Sequence, residues 1–352
     1  MQKQSIRKFS LNNKIFAYIF LSLLLLLAGF LGIAIGTVYV PFKDIAQLIV
    51  LKIARSENVE TIDSMIVNIV WNIRLPRVLL AGFVGASLAI AGAAFQGLLR
   101  NPLADPFTLG VSSGASVGAV VTIFFNISIP FFGAFTLPFL SITAAFLTVF
   151  IVLLFAETID RSMRVETIIL TGVIFSSFLG SLISLMIALT GEELRQIIGW
   201  LLGSVSMRGW SHLKIIIPFF IIGTISLLLH TRELNAMSFG EEQAHHLGVH
   251  VQRKKLFILF SGSIITGAAV AVSGTIGFVG LVIPHFVRLL WGPDHRHLLP
   301  FSIIAGAAFL ILADLVSRTI IAPAELPIGV ITALIGAPIF AFILMKNRLE
   351  SS

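Results

Sequence analysis

Apolar runs long enough to cross a lipid bilayer recur along almost the whole of this sequence. A helix needs about 20 residues to cross a hydrocarbon core about 30 Å thick, and the runs at 15–37, 166–190 and 211–230 reach that length. Hydrophobic residues make up 57% of the chain and charged residues only 12%, whereas an average soluble domain has about 25% charged residues. Because the runs are continuous rather than alternating, they exclude a membrane β-barrel. The sequence therefore predicts an all-α, polytopic membrane protein.

The apolar pattern divides into ten candidate spans within a single transmembrane domain, residues 1–352. The basic N-terminus and first run resemble a signal peptide, but the run is longer than a usual signal core, so we interpret it as a retained first span. The eighth span is short, and 194–205 is predicted as a short helix that does not cross. The ten spans cover residues 15–37, 74–99, 108–126, 139–157, 166–190, 211–230, 255–275, 279–292, 300–321 and 327–345.

The basic residues orient these spans. The four basic residues from Lys3 to Lys14 place the N-terminus in the cytoplasm, because cytoplasmic ends carry an excess of Lys and Arg. An even number of spans returns the C-terminus to the same side, where Lys346 and Arg348 lie. The net charge of +7 is therefore explained by topology in the cell membrane, and it does not indicate a nucleic-acid partner.

A polar segment, "MSFGEEQAHHLGV" at 237–249, interrupts the apolar pattern within the longest cytoplasmic connection, 231–254. Its "GEEQAHHLG" is bracketed by Gly240 and Gly248, and the carboxylates of Glu241 and Glu242 suit the first turn of a short helix. Leu247 offers an apolar contact, so we predict a docking helix for a partner protein. A metal site at Glu241, His245 and His246 is the alternative, although the residue order differs from the H-E-x-x-H of zinc proteases.

The energy source of any transport is constrained by what the sequence lacks. The dipeptide Gly-Lys does not occur, so the chain has no P-loop, and ATP-driven transport would require an ATPase on another chain. A self-sufficient, ion-coupled secondary transporter would need an ionisable group within the spans, and Asp314 is the best candidate. Arg318 follows four residues later on the same helix face, so a local ion pair is the simpler interpretation of Asp314.

Two further patterns lie outside the polar segment. Arg74, Arg77 and Arg318 lie at the outer ends of spans, where they either snorkel to the interface or form a basic docking patch for carboxylates of an external protein. Several spans carry small residues at intervals of four, which favours close helix packing. The fifth span has such a stripe with hydroxyls, which could instead line a passage or a subunit contact: Gly172, Ser176, Gly180 and Ser184.

Four motifs in order resemble the FecCD family of ABC importer permeases, whose members include vitamin B12, iron-siderophore and haem permeases. The first is "RLPR" with "GASLAIAGAAFQGLLRNPLADPFTLGVSSGAS" (74–116), and the second is "LNAMSFGEEQAHHLGV" (234–249). The others are "GTIGFVGLVIPHFVRLLWGPDHRHLLP" (274–300) and "AELPIGVITALIGAP" (324–338). The resemblance covers essentially the whole chain after the first span.

The resemblance implies a type II importer permease with ten transmembrane helices, two such subunits (identical or paralogous) forming the pathway, and no enzymatic activity or cofactor of its own. It implies that the cytoplasmic loop docks into ABC ATPase subunits, and that the three arginines meet glutamates of an extracytoplasmic substrate-binding protein. Helices equivalent to spans five and ten would flank the pathway. The implied cargo is a ferric siderophore first, then cobalamin or haem. The residues implied for the ATPase contact are Gly240, Glu241, Glu242, Ala244, Leu247 and Gly248.

Two other functions stay open on the residues alone. One is the ion-coupled secondary transporter that uses Asp314, and the other is an intramembrane metal-dependent enzyme that uses Glu241, His245 and His246.

Overall fold

A computed structural model describes residues 11–36, 38, 40–54 and 62–349 of the chain. The described residues fold into α-helices joined by short irregular segments and contain no β-strand. The α-helices run in the order α1 (Leu11–Ala34), α2 (Phe42–Ile53), α3 (Ser64–Val67), α4 (Leu75–Leu98), α5 (Val111–Phe124), α6 (Thr136–Ile159), α7 (Val165–Leu189), α8 (Leu194–Leu201), α9 (Trp210–Leu229), α10 (Thr231–Met237), α11 (Glu241–His246), α12 (Val251–Ser273), α13 (Val279–Trp291), α14 (His295–Thr319) and α15 (Ile328–Leu349).

Each of the ten predicted spans coincides with an α-helix, and α8 is the predicted short helix between spans. Within the described residues, seven helical segments are long and apolar enough to cross a membrane, and three apolar helices are shorter: Val111–Phe124, Val279–Trp291 and Ile328–Phe342. The all-helical, polytopic fold class is therefore confirmed. The α13 helix is short because the chain before it is irregular, with Gly274 and Phe278 at positive φ. Irregular backbone at such a place is tolerated when protein covers it, and Ser204 N donates to the Ser273 carbonyl at 2.7 Å.

The second span begins earlier than the sequence predicts. Helical structure starts at Ser64 and continues without a break to Leu98, including a π-helical stretch at Asn68–Arg74. Trp71 in this stretch packs against Trp210, with ring centroids 5.5 Å apart, and Trp210 Nε1 donates to the Trp71 carbonyl at 3.0 Å. The extra turns thus fasten the start of α4 to the start of α9.

The α4 helix forms the centre of the fold, and nearly all of its side chains are buried. The helix packs against α9, α12, α13 and α14. Glycines allow the backbones to approach: a Cβ at Gly85 would overlap the Gly306 carbonyl of α14, and a Cβ at Gly92 would overlap the Gly280 carbonyl of α13. In a bilayer, where lipid tails are as apolar as leucine, such close contact supplies much of the association energy between helices.

Candidate coupling loop and arginine cluster

The polar segment forms a helical hairpin of α10 and α11 between α9 and α12. Gly240 separates the two helices at φ 122°, and Gly248 follows α11 at φ 84°, conformations that side chains with a Cβ rarely adopt. The short helix predicted between these glycines is therefore present as α11, Glu241–His246, and its docking role stays a prediction. Leu247 is 69% exposed at its end, whereas Ala244 is fully buried against the chain. Ala244 thus lies on the side of α11 that packs against the rest of the subunit, whereas Glu242, Leu247 and Gly248 lie on the exposed surface.

Besides an ion pair between Lys254 and Glu233, two connections hold this loop to the helices below it. Asn235 of α10 donates to Asp294 Oδ1 at 2.7 Å and accepts from the backbone N–H of His295 at 2.9 Å, which ties the loop to the start of α14. Burial alone raises the pKa of Asp294, but the hydrogen bonds from Asn235 and from the backbone of Arg296 hold that pKa below its usual value.

The second connection is Lys255 on α12, whose side chain is 1% exposed. Its Nζ donates to Glu241 Oε1 at 2.7 Å and to the Met163 carbonyl at 2.8 Å. Met163 lies in the turn between α6 and α7, and Gln252 donates to the neighbouring Ser162 carbonyl at 2.5 Å. The α11 helix is therefore joined through Lys255 to the helix that carries the Gly172 to Ser184 stripe.

The structure gives no support to a metal site in the loop. Glu241 is paired with Lys255, and the rings of His245 and His246 lie 6.4 Å apart at a steep angle. Among the described residues, no group of three or more His, Cys, Asp or Glu side chains is placed to hold a metal ion.

The three candidate docking arginines form one cluster at the opposite end of the helices. Arg77 makes a double ion pair: Nε and Nη2 reach Asp314 Oδ1 at 3.0 and 2.9 Å, and Nη1 reaches Glu325 Oε1 at 2.8 Å. Burial raises the pKa of Glu325, but the hydrogen bonds from Arg77 and Ser206 outweigh it and hold that pKa below the usual value. Asp314 of α14 pairs with Arg77 of α4, and this ion pair joins the two helices.

Arg74 and Arg318 complete the cluster through the C-terminal end of α1. Arg74 Nη1 donates to the carbonyls of Ile33 and Ala34 at 2.9 and 3.0 Å, and Arg318 donates to the Gly32 carbonyl. All three arginines are less than a tenth exposed. The interpretation of snorkelling side chains is therefore wrong for this subunit, because the guanidiniums satisfy carbonyl ends and carboxylates inside it.

Sequence reasoning found the Asp314–Arg318 pair but missed its stronger neighbour. Arg318 Nε lies 3.6 Å from Asp314 Oδ2, farther away than Arg77. The Arg77–Asp314 and Arg77–Glu325 pairs join residues more than 200 positions apart, and nothing in local spacing indicates them. Glu325 is part of the motif at 324–338 that carries the family resemblance, but that motif does not indicate its pairing with Arg77.

The small-residue stripe of α7 divides into two halves. A Cβ at Gly172 would overlap the Thr108 carbonyl, and Ser176 lies against Gly110, so this half packs on the connection between α4 and α5. Gly180 has open space around it, and the hydroxyl of Ser184 is exposed and donates to the Gly180 carbonyl at 3.0 Å. Only the Gly180–Ser184 half is therefore free to face a passage or a second subunit.

Comparison with known proteins identifies the family of the chain. The chain is 58% identical over 337 residues to the uncharacterized ABC transporter permease protein YvrB of Bacillus subtilis, covering 96% of this chain and 95% of that protein. It is 45% identical to the cobalamin import system permease protein BtuC of Halobacterium salinarum, covering 80% of this chain and 75% of the relative.

A solved structure of an inward-facing ABC transporter, described as of metal-chelate type, superposes with a TM-score of 0.79 at 35% identity, covering 93% of this chain and 98% of that one. The family model described as the FecCD transport family matches residues 24–346. This chain therefore belongs to the FecCD transport family.

Proposed function

We propose that this chain is the membrane-spanning permease subunit of an ABC importer for a metal chelate, with both termini in the cytoplasm. The α10–α11 hairpin carries the proposal, because it presents a short helix with an exposed apolar tip, Leu247, on a base fixed by Asn235 and Lys255. A partner ATPase that grips this helix would move the spans attached to both connections. Its closure on ATP would then shift the spans between inward- and outward-open arrangements.

The arginine cluster supports a role in docking an extracytoplasmic binding protein, in a modified form. The guanidinium of Arg77 is bonded to Glu325, which is 36% exposed and lies at the edge of the cluster. A carboxylate from a docked protein would therefore compete with Glu325 for Arg77, while Arg74 and Arg318 hold the end of α1. Reversing charge at these arginines is expected to disturb the fold as well as capture.

The exposed Gly180–Ser184 half of α7 supports a place at the pathway or at a contact with a second permease subunit, identical or paralogous. Neutral hydroxyls suit the passage of a bulky chelate, since they offer hydrogen bonds without a fixed charge that would retain cargo. Asp314 does not favour ion coupling, because it is 1% exposed and both its oxygens accept from Arg77.

A ferric siderophore is the first candidate cargo. Cobalamin is the second, because a relative with 45% identity is named a cobalamin permease. A hemin transport permease of Yersinia pestis, 40% identical, keeps haem as a third. Uptake of each chelate into proteoliposomes that contain the permease, its ATPase and its binding protein distinguishes them. We expect uptake of the iron siderophore and no uptake of the other two chelates. ATP-independent uptake by the permease without its partners would refute the proposal.

Leu247→Glu tests the docking helix itself. Leu247 is mostly exposed, so a carboxylate there leaves the isolated subunit folded but places an unpaired charge in the contact with the ATPase. The variant is expected to lose co-purification with the ATPase. Phe131→Glu is the matched control, because Phe131 lies between α5 and α6 and is 91% exposed. This variant should leave ATPase binding unchanged. Equal binding by both variants would contradict the assignment.

A further inference from the structure

The most unusual buried charge on the cytoplasmic side of the chain is Lys255. Lysine is almost never fully buried unless it is paired, and this side chain is 1% exposed. It lies one turn into α12, and helical side chains lean toward the N-terminus. Its ammonium group therefore reaches back to the place where α11 and the α6–α7 turn meet.

The α6–α7 turn is a rigid acceptor for this ammonium group. Asp160 closes it, with Oδ1 accepting from the backbone of Ser162 at 3.0 Å and Oδ2 accepting from Arg164 Nε at 2.8 Å. The side-chain hydrogen bonds from Ser162 and Arg164 hold the pKa of Asp160 below its usual value, so the carboxylate stays charged. The turn fixes Met163 at φ 47° and presents its carbonyl to Lys255.

One ammonium group thus joins three elements. Nζ spans from Glu241 at the start of α11 to Met163 just before α7, while its own backbone belongs to the well-buried α12. Lysine offers three donors on a single atom, so it holds both acceptors at once.

We infer that Lys255 is a positioning residue that transmits movement of α11, when the ATPase binds it, to the α6–α7 turn. Through that turn the movement reaches the Gly180–Ser184 half of the α7 stripe. This inference rests on the proposed function. Displacement of α11 pulls Glu241, the ion pair carries the pull to Lys255, and the Met163 carbonyl passes it to the start of α7. The Asn235 connection carries the same movement to α14 in parallel.

The neighbouring Lys254 supplies a matched control. It forms an ion pair of equal length, 2.7 Å, with Glu233, and that pair joins α10 to the first turn of α12 without reaching the α6–α7 turn. Lys254→Met therefore removes the same charge and the same kind of bond one residue away, without touching the α6–α7 turn. Lys255→Met removes the connection, and Lys255→Arg keeps a cation able to reach both acceptors.

Spin-label distances measure the connection directly, because the chain has no cysteine to remove. Labels at Arg161→Cys and His246→Cys report the separation of the turn and α11 in the complete transporter, with and without ATP. In the parent, Lys254→Met and Lys255→Arg, we expect one narrow distance distribution that ATP does not change. In Lys255→Met we expect a broader distribution that ATP shifts, and at least about a fivefold loss of ATPase stimulation by the binding protein, the lower end of typical coupling between sites.

An unchanged distribution and unchanged stimulation in Lys255→Met would overturn the inference. Should that variant fail to assemble, Lys255→Gln replaces it, because its shorter neutral side chain cannot reach both acceptors, and the same broadening is expected. The permease alone is measured in parallel. A parent chain that binds no ATPase would refute the proposed function, whereas the label distances in the permease alone still show whether Lys255 joins the two segments.

Discussion

Replacing Asp314 by Asn should destabilise this protein far more than replacing Glu325 by Gln, although both carboxylates pair with Arg77. Asp314 is 1% exposed and receives three hydrogen bonds from Arg77, with Arg318 as a further neighbour. Its loss leaves the buried Arg318 without its paired carboxylate and Arg77 with only the partly exposed Glu325, and breaking a buried pair in this way costs about 3–5 kcal/mol. Glu325 is 36% exposed, so water compensates for its loss, and partly exposed pairs contribute about 0.2–1 kcal/mol.

Thermal unfolding of the purified subunit, followed by size-exclusion chromatography after heating, measures the difference. Domains of 150–250 residues shift by about 2–4 °C per kcal/mol, so Asp314→Asn should lower the midpoint by about 8 °C and Glu325→Gln by about 2 °C. The double variant Arg77→Met/Asp314→Leu should lose less than Asp314→Asn, because it removes both charges. A loss in Glu325→Gln equal to that in Asp314→Asn would refute this account of the cluster.

Two further predictions use local geometry. Gly92→Ala should lower the same midpoint by several degrees because its Cβ overlaps the Gly280 carbonyl, whereas Gly180→Ala should change it by less than about 1 °C, since nothing lies near that position; equal effects would contradict the packing. Burial raises the pKa of Asp105 to about 6 from 3.8, so ionisation weakens the fold as pH rises from about 4 to about 6. Asp105→Asn should therefore be more stable than the parent at pH 8 by up to about 3 kcal/mol and no more stable at pH 4, and a constant difference across that range would show that the carboxylate is not the cause.

The sequence predicted those features that depend on composition and local spacing. Span length follows from the bilayer, and the short helix α11 follows from two glycines around a short polar run, so both could be placed without a structure. The pairing of Arg77 with Asp314 depends on how α4 meets α14, and no local pattern contains that information. Lys255 is one of three consecutive basic residues, 253–255, and the sequence alone does not indicate that it is buried, because burial of one of them is decided by tertiary packing.

The α7 stripe also shows that local spacing does not identify tertiary neighbours. A period of four correctly indicates one face of a helix, but it cannot tell which neighbour covers each turn. Gly172 meets the chain's own Thr108, whereas Gly180 meets nothing within the subunit. The helix that extends back to Ser64 was missed because Arg74, Pro76 and Arg77 resemble the boundary of a span, although the residues before them are also apolar.

The side of the membrane on which α11 lies is the most direct test of the account. A single cysteine at His246, introduced into this cysteine-free chain, can be labelled with a membrane-impermeant maleimide in intact cells and in inside-out vesicles. The account predicts labelling in inside-out vesicles alone, with protection when the ATPase is bound. Labelling in intact cells would place α11 outside the cell, where no ATPase could grip it, and would contradict the proposed function.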